Sequence, residues 1–141
     1  MEKCKSYIFY NKGSEIMDSM ISSSLCKYLI TIYELKNMNS VVYQIDIATS
    51  LGHSRASVSR AIHVLQTKKL ITIENKNIIF THLGNQIVQS ILNEYHIFYQ
   101  ILEKFQFNSE EAKYYANQLI SISDNYFFQK IKDYYIQHIY E

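Results

Sequence analysis

The stretch Gly52-His53-Ser54-Arg55-Ala56-Ser57-Val58-Ser59-Arg60-Ala61-Ile62-His63 constrains this chain more than any other. Tyr43 to Leu51, just before it, has the apolar spacing of a short amphipathic helix. Gly52 supplies the left-handed residue that ends such a helix, because it has no Cβ to clash. Ser54 is placed to cap the next helix, where its hydroxyl accepts a bond from an unpaired N–H of the first turn. Val58, Ile62 and Leu65 then fall at spacings of four and three, which predicts one buried stripe. Arg55, Ser59, Arg60 and His63 project from the other side. The pattern is that of a helix-turn-helix. Small and hydroxylated residues permit close approach to a duplex, and arginine bridges guanine edges or phosphates. Ser54, Arg55, Ala56, Ser57, Ser59, Arg60 and His63 are therefore the candidate DNA contacts.

A solvated, idle helix face is the competing reading. The placement of charge argues against it. Both arginines of the chain lie in this stretch, while lysine occupies twelve positions elsewhere. Arg55 also falls in a first helical turn, where the macrodipole disfavours a cation.

The chain has 141 residues, enough for one ordinary domain or two small units. With 48% hydrophobic and 19% charged residues, it belongs with globular rather than disordered chains. No apolar run approaches the length of a membrane span. The first residues, Met1-Glu2-Lys3-Cys4-Lys5, lead into no apolar segment long enough for a signal peptide, so a cytoplasmic protein is expected. The net charge of +1 says little about nucleic acid, but its distribution does. Between His53 and Lys76 there are five cations (Arg55, Arg60, Lys68, Lys69, Lys76) and one anion (Glu74), a local excess of +4. Two cysteines, Cys4 and Cys26, have no spacing that suits a zinc finger. Cys4 sits between two lysines, which favours its thiolate, yet an incidental thiol is the simpler reading. The thirteen tyrosines and absent proline suit the codon bias of an AT-rich genome. An enzyme is not expected. There is no nucleophile with a base, no glycine-rich phosphate loop and no paired acids in a plausible cleft.

The predicted organisation is mainly helical. Residues 1–21 lack clear periodicity and form an arm of undecided structure. Residues 22–82 form a winged helix-turn-helix DNA-binding domain, and residues 83–141 an all-helical dimerisation region. A first helix runs from Ser24 to Lys36, with Leu25, Tyr28, Leu29, Ile32, Tyr33 and Leu35 on its buried side. Helices follow at about 43–51 and 54–67. Leu70 to Glu74 and Ile78 to Thr81 are β-rich runs on either side of a turn at Asn75-Lys76-Asn77, a hairpin that makes the wing. Its tip puts Lys76 on a phosphate or at the minor groove. Beyond Gly84 two helices are expected, at about 83–95 and 96–107. A third starts at Asn108 or Ser109 and ends near Ile122. A last helix, capped by Ser123-Asp124, presents Phe127, Ile131, Tyr134, Tyr135 and Ile139 on one face. That face needs a partner, within the monomer or across a dimer seam, and a palindromic operator favours the dimer.

Leu25-Cys26-Lys27-Tyr28-Leu29-Ile30-Thr31-Ile32-Tyr33-Glu34-Leu35 resembles the E-D-Y-L-x-x-I-Y-E-L opening of the metal-dependent repressors, typified by the diphtheria toxin repressor and the manganese transport regulator. Asp46-Ile47-Ala48, Leu51-Gly52, Ser57-Val58-Ser59-Arg60 and Leu65 are similar to that family's next motif, and Thr81-x-x-Gly84 to the start of its linker helix. The likeness covers about residues 24–124 and looks like the short manganese type, without an SH3-like domain. It implies a homodimer that binds an operator in double-stranded DNA, with Mn(II) or Fe(II) fixing the spacing of the recognition helices. The family's ligand positions fall here on Lys27, Ile30, His96, Asn117, Ile120 and Ser121, with Gln100 where a further acid often stands. A shift of one residue in the last cluster gives Gln118, Ser121 and Ile122. Only His96 is a strong donor, and Mn(II) wants charged oxygen ligands.

A transcriptional regulator, of repressor type, that has lost its metal response and needs no cofactor is therefore the first expectation. In it Lys27 either snorkels to solvent or stands in for the cation. A regulator with an altered metal or small-molecule site around His96 and Cys26 is the second. A winged helix used only for protein contact is the third, and the retained Arg55, Arg60 and Lys76 argue against it.

Overall fold

The computed structural model describes residues 5–8, 18–122 and 125–139. The expected caps Ser123 and Asp124, and the Cys4 thiol, lie outside the described residues. Two compact units emerge. One runs from Ser24 to Ile91, and the other joins two N-terminal strands to the chain from Leu92 onward. No described helix is long and apolar enough to cross a membrane.

The first unit opens with α1 (Ser23–Met38), followed by α2 (Gln44–Leu51) and α3 (Arg55–Thr67). α2 ends as its sequence dictates. Gly52 takes φ 64°, and its N–H donates to the Ala48 carbonyl. Asp46 Oδ2 accepts from the Tyr43 N–H at 2.8 Å, so an acid in the first turn satisfies the chain entering the helix. Ser54 caps α3, accepting from the Ser57 N–H at 3.1 Å. The stripe Val58, Ile62 and Leu65 is at most 1% exposed. It joins Leu25, Tyr28, Leu29, Ile32, Val42 and Ile47 in a core closed by Leu70, Ile71, Ile78, Ile87, Val88 and Ile91. Tyr33 and Leu35, expected on the buried side of α1, are only half-buried.

The wing is β3 (Ile71–Glu74) paired antiparallel with β4 (Asn77–Phe80), closing on the pair Glu74–Asn77. The turn is therefore two residues long, Asn75-Lys76, rather than three. Asn77 belongs to the strand. Asn75 and Lys76 both adopt left-handed backbone, φ 49° and 67°, which is the geometry a two-residue hairpin turn demands. Thr81 then joins wing to helix. Its Oγ1 donates to the Lys69 carbonyl at 2.7 Å and accepts from the Gly84 N–H at 3.0 Å, capping α4.

α4 runs unbroken from His82 to Lys104, where the sequence suggested two helices. The reason is continuity. Ile87, Val88, Ile91, Glu94, Phe98 and Leu102 are all buried and keep helical spacing throughout. With no proline in the chain, nothing in the segment forces a break. His96 consequently sits in mid-helix, not at a helix start.

In the second unit, β1 (Lys5–Ile8) pairs antiparallel with β2 (Asp18–Ile21), and these strands are the described part of the aperiodic N-terminal arm. α5 (Ser109–Ile122) starts at a reciprocal cap that settles the choice between Asn108 and Ser109. Asn108 Oδ1 accepts from the Glu111 N–H at 3.0 Å, and Glu111 Oε2 accepts from the Asn108 N–H at 2.9 Å. α6 (Asn125–His138) has no residue fully buried among those described. Phe127 and Tyr134, from its expected apolar face, are exposed, while Ile131, Tyr135 and Ile139 are half-buried.

Candidate nucleic-acid interface

Burial of one α3 stripe turns the opposite stripe outward. Ser54, Arg55, Ala56, Ser59, Arg60 and His63 are all exposed, and Ser57 is half-buried. Three of these side chains form a row. Ser54 Oγ donates to Ser57 Oγ at 2.9 Å, and Arg60 Nη2 donates to the same oxygen at 3.3 Å. Ser54 is thus occupied in holding the helix start, and Ser57 steadies the Arg60 guanidinium. Arg55 instead lines a shallow notch of about 360 Å³ with Gln44, Ile45 and Val58. Lys76 is exposed at the wing tip, in the same unit as α3.

Several supporting residues were legible only as core or loop. Tyr28, read as an apolar position of α1, is buried but places its hydroxyl 3.0 Å from His53 Nδ1. That bond ties α1 to the turn before α3. Asn77, read as part of a turn, accepts from Lys36 Nζ and from the Val42 N–H. A tyrosine at a core position and an asparagine after a hairpin turn are the available sequence signals, and each has too many uses to be specific.

The positions matched to metal ligands divide between the units. Lys27 is exposed on α1 and Ile30 half-buried. On the helical unit His96 is exposed, with its ring edge-on to Tyr95 at 5.6 Å between centroids. Asn117 Nδ2 donates to the Lys113 carbonyl and Ser121 Oγ to the Asn117 carbonyl, both within α5. Ile120 is buried, whereas Gln118 and Ile122 are exposed. Cys26 is buried in the first unit. Among the described residues no three His, Cys, Asp or Glu side chains group as a metal site. One exposed imidazole with an ammonium, alkyl groups, and an amide and a hydroxyl already used by their own helix is not a donor set that suits Mn(II) or Fe(II).

No family model matches the sequence, and no curated protein is similar to it. Solved structures are similar to it. A hypothetical protein from Sulfolobus solfataricus aligns at a TM-score of 0.65 and 18% identity, over 81% of this chain and 88% of that one. The metal-dependent transcriptional regulator MtsR aligns at 0.70 and 18% identity, over 78% of this chain and 52% of its own. The manganese-activated repressor ScaR aligns at 0.66 and 20% identity, over 77% and 52%. The chain has the fold of the metal-dependent repressors. It spans about half the length of the two named regulators.

Lysine occupies one of the two left-handed positions at the wing tip, with φ 67° at Lys76. A non-glycine residue at positive φ costs about 1 kcal/mol. Glycine at position 76 relieves that strain in the folded state, partly offset by its larger chain entropy when unfolded. Lys76→Gly is expected to leave thermal stability unchanged or slightly higher while weakening duplex binding several-fold at low salt. Thermal unfolding and a fluorescence titration on the same sample check both halves, and an unchanged affinity would remove Lys76 from the interface.

Proposed function

We propose that this chain is a sequence-specific DNA-binding transcriptional regulator, of repressor type, acting as a homodimer on a palindromic operator without need of divalent metal. One observation carries the reading. The apolar stripe of α3 is fully buried, which leaves Arg55, Ser59, Arg60 and His63 exposed on a recognition helix beside a wing tipped by Lys76. The named neighbours are transcriptional regulators rather than enzymes, which agrees with the lack of an acid–base pair or phosphate loop.

The dimer is supported by the second unit. Phe105, Tyr114, Tyr115, Ile122, Tyr126, Phe127, Tyr134 and Ile136 are each at least 40% exposed. Apolar surface of this extent calls for a partner, and a second copy is the one that a two-fold operator selects. Independence from metal is supported by the side chains at the ligand positions. Lys27 offers a cation where a cation should bind, and Ile30 and Ile120 offer nothing.

Mobility shift with an operator selected from a random library tests the proposal under three conditions: with chelator, with added Mn(II), and with neither. Equal shifts are expected in all three. Loss of the shift in chelator would establish a metal-dependent regulator with an altered site around His96 or Cys26. Affinity should fall steeply with salt, because phosphate contacts release counterions. A flat salt response would point to a protein-binding winged helix.

A further inference from the structure

We infer that Asn77 is a positioning residue, which locks the wing to the helix-turn-helix and so sets where Lys76 meets the DNA backbone. The inference rests on the DNA-binding reading above and adds to it a part of the machinery that touches no DNA.

Asn77 is the first residue of β4, directly after the Asn75-Lys76 turn. Its Oδ1 accepts two hydrogen bonds from outside the wing. The Val42 N–H donates at 2.9 Å, and Lys36 Nζ donates at 3.1 Å. The next residue completes the connection, the Ile78 N–H donating to the Val42 carbonyl at 2.8 Å. Val42 is fully buried and lies one residue before Tyr43, which enters α2. Lys36 is in the last turn of α1. One amide oxygen therefore joins the end of α1, the entrance to α2 and the base of the wing tip.

A two-stranded hairpin is a weak structure by itself, and its tip swings unless something outside holds it. The wing's own ladder fixes β3 to β4, and buried Ile71 and Ile78 anchor its base, but the Asn75-Lys76 tip is left free to pivot about that base. The Val42 and Asn77 bonds remove that freedom at the residue next to Lys76. Lys36 gives the same oxygen a charged donor, which strengthens and aims the bond. Partial burial holds the Lys36 ammonium below its ordinary pKa through desolvation, so the bond to Asn77 offsets a cost the lysine would otherwise bear uncompensated.

A role in positioning predicts coupling to Lys76, whereas a role in stability alone does not. The test titrates full-length wild type, Asn77→Ala, Lys76→Ala and the double variant against a labelled random-sequence DNA duplex, since a phosphate contact is blind to sequence. Asn77→Ala is expected to lower affinity about as much as Lys76→Ala, roughly five- to tenfold at low salt, and to flatten the log–log salt dependence by about one per protomer. The double variant should bind no more weakly than Lys76→Ala alone. Lys36→Met, which removes one of the two donors, should give a smaller loss that also vanishes in the Lys76→Ala background. It carries the same test should Asn77→Ala fail to fold. Losses that multiply, for either variant, would overturn the inference and assign Asn77 a purely structural part or Lys36 its own phosphate. An Asn77→Ala protein that binds as wild type does would overturn it as well. Wild type that shows no salt-dependent binding to any duplex would instead sink the DNA-binding reading.

Discussion

Gly84→Ala is expected to destabilise the winged-helix unit by about 2 kcal/mol net, although alanine is the better helix former. A Cβ on Gly84 would stand 1.8 Å from the Leu70 carbonyl oxygen and 2.8 Å from its carbon. Both are backbone atoms, so no side-chain rotation relieves the clash, and α4 or the chain entering β3 must shift. That carbonyl also accepts the Thr81 N–H at 3.1 Å, so displacement disturbs the joint between wing and helix. Overpacking costs about 1–3 kcal/mol, and a clash this close against backbone sits at the top of that range. The helical preference of alanine over glycine returns about 1 kcal/mol. Steric cost wins because the obstructing atoms are fixed by hydrogen bonds on both sides. Thermal and urea unfolding of the intact chain check it. A midpoint equal to or above that of wild type would show that helix propensity, not close approach, governs the position. Gly52→Ala meets no atom within 4 Å and is costly only through its φ of 64°, so it should lose less, about 1 kcal/mol.

The contrast between these glycines shows what the sequence can and cannot disclose. Gly52 was legible because its use is local. A glycine ending one amphipathic stretch before a serine that can cap the next is a turn on any reading. The use of Gly84 depends on Leu70, fourteen residues away, and only the motif Thr81-x-x-Gly84 hinted at it. The same distinction runs through the fold. Helix α3, its Ser54 cap, its buried stripe and the wing strands follow from periodicity and capping chemistry within a few residues. The uninterrupted α4 did not, because Asn93-Glu94-Tyr95-His96 reads as polar, yet Glu94 is buried and the helix passes through. The strand pair at the N-terminus has its partners ten to sixteen residues apart in the chain, beyond the reach of local patterning. The site divides likewise. The outward face of α3 was plain from spacing, whereas the Tyr28–His53 and Asn77 bonds that support it join positions twenty-five or more residues apart.

The two arginines of α3 should separate cleanly in their effects on DNA. Arg60 is steadied by Ser57, one helical turn earlier, and Ser57 is in turn held by the capping Ser54. A guanidinium already held at one terminal nitrogen loses less freedom when it meets a phosphate or a guanine, so more of the contact survives as affinity. Arg60→Ala is expected to weaken binding to every duplex, by about 1–3 kcal/mol for each protomer engaged. Arg60→Lys should recover only a fraction, because an ammonium cannot make the paired contact of a planar guanidinium. The Arg55 side chain makes no hydrogen bond among the described residues and lines the notch formed with Gln44, Ile45 and Val58. It stands at the first position of α3, the end that the proposed function sets against base edges. Its cation also sits against the helix dipole, a cost that a guanine or phosphate partner offsets. Arg55→Ala should therefore cost about 1–3 kcal/mol at the preferred operator and little on random sequence, so that the ratio of the two affinities falls about tenfold or more. Parallel titrations of a selected operator and a scrambled duplex measure that ratio directly. Should Arg55→Ala weaken both duplexes equally, the residue is a phosphate contact and sequence preference lies elsewhere, with Ser59 and His63 the next exposed side chains along the same face.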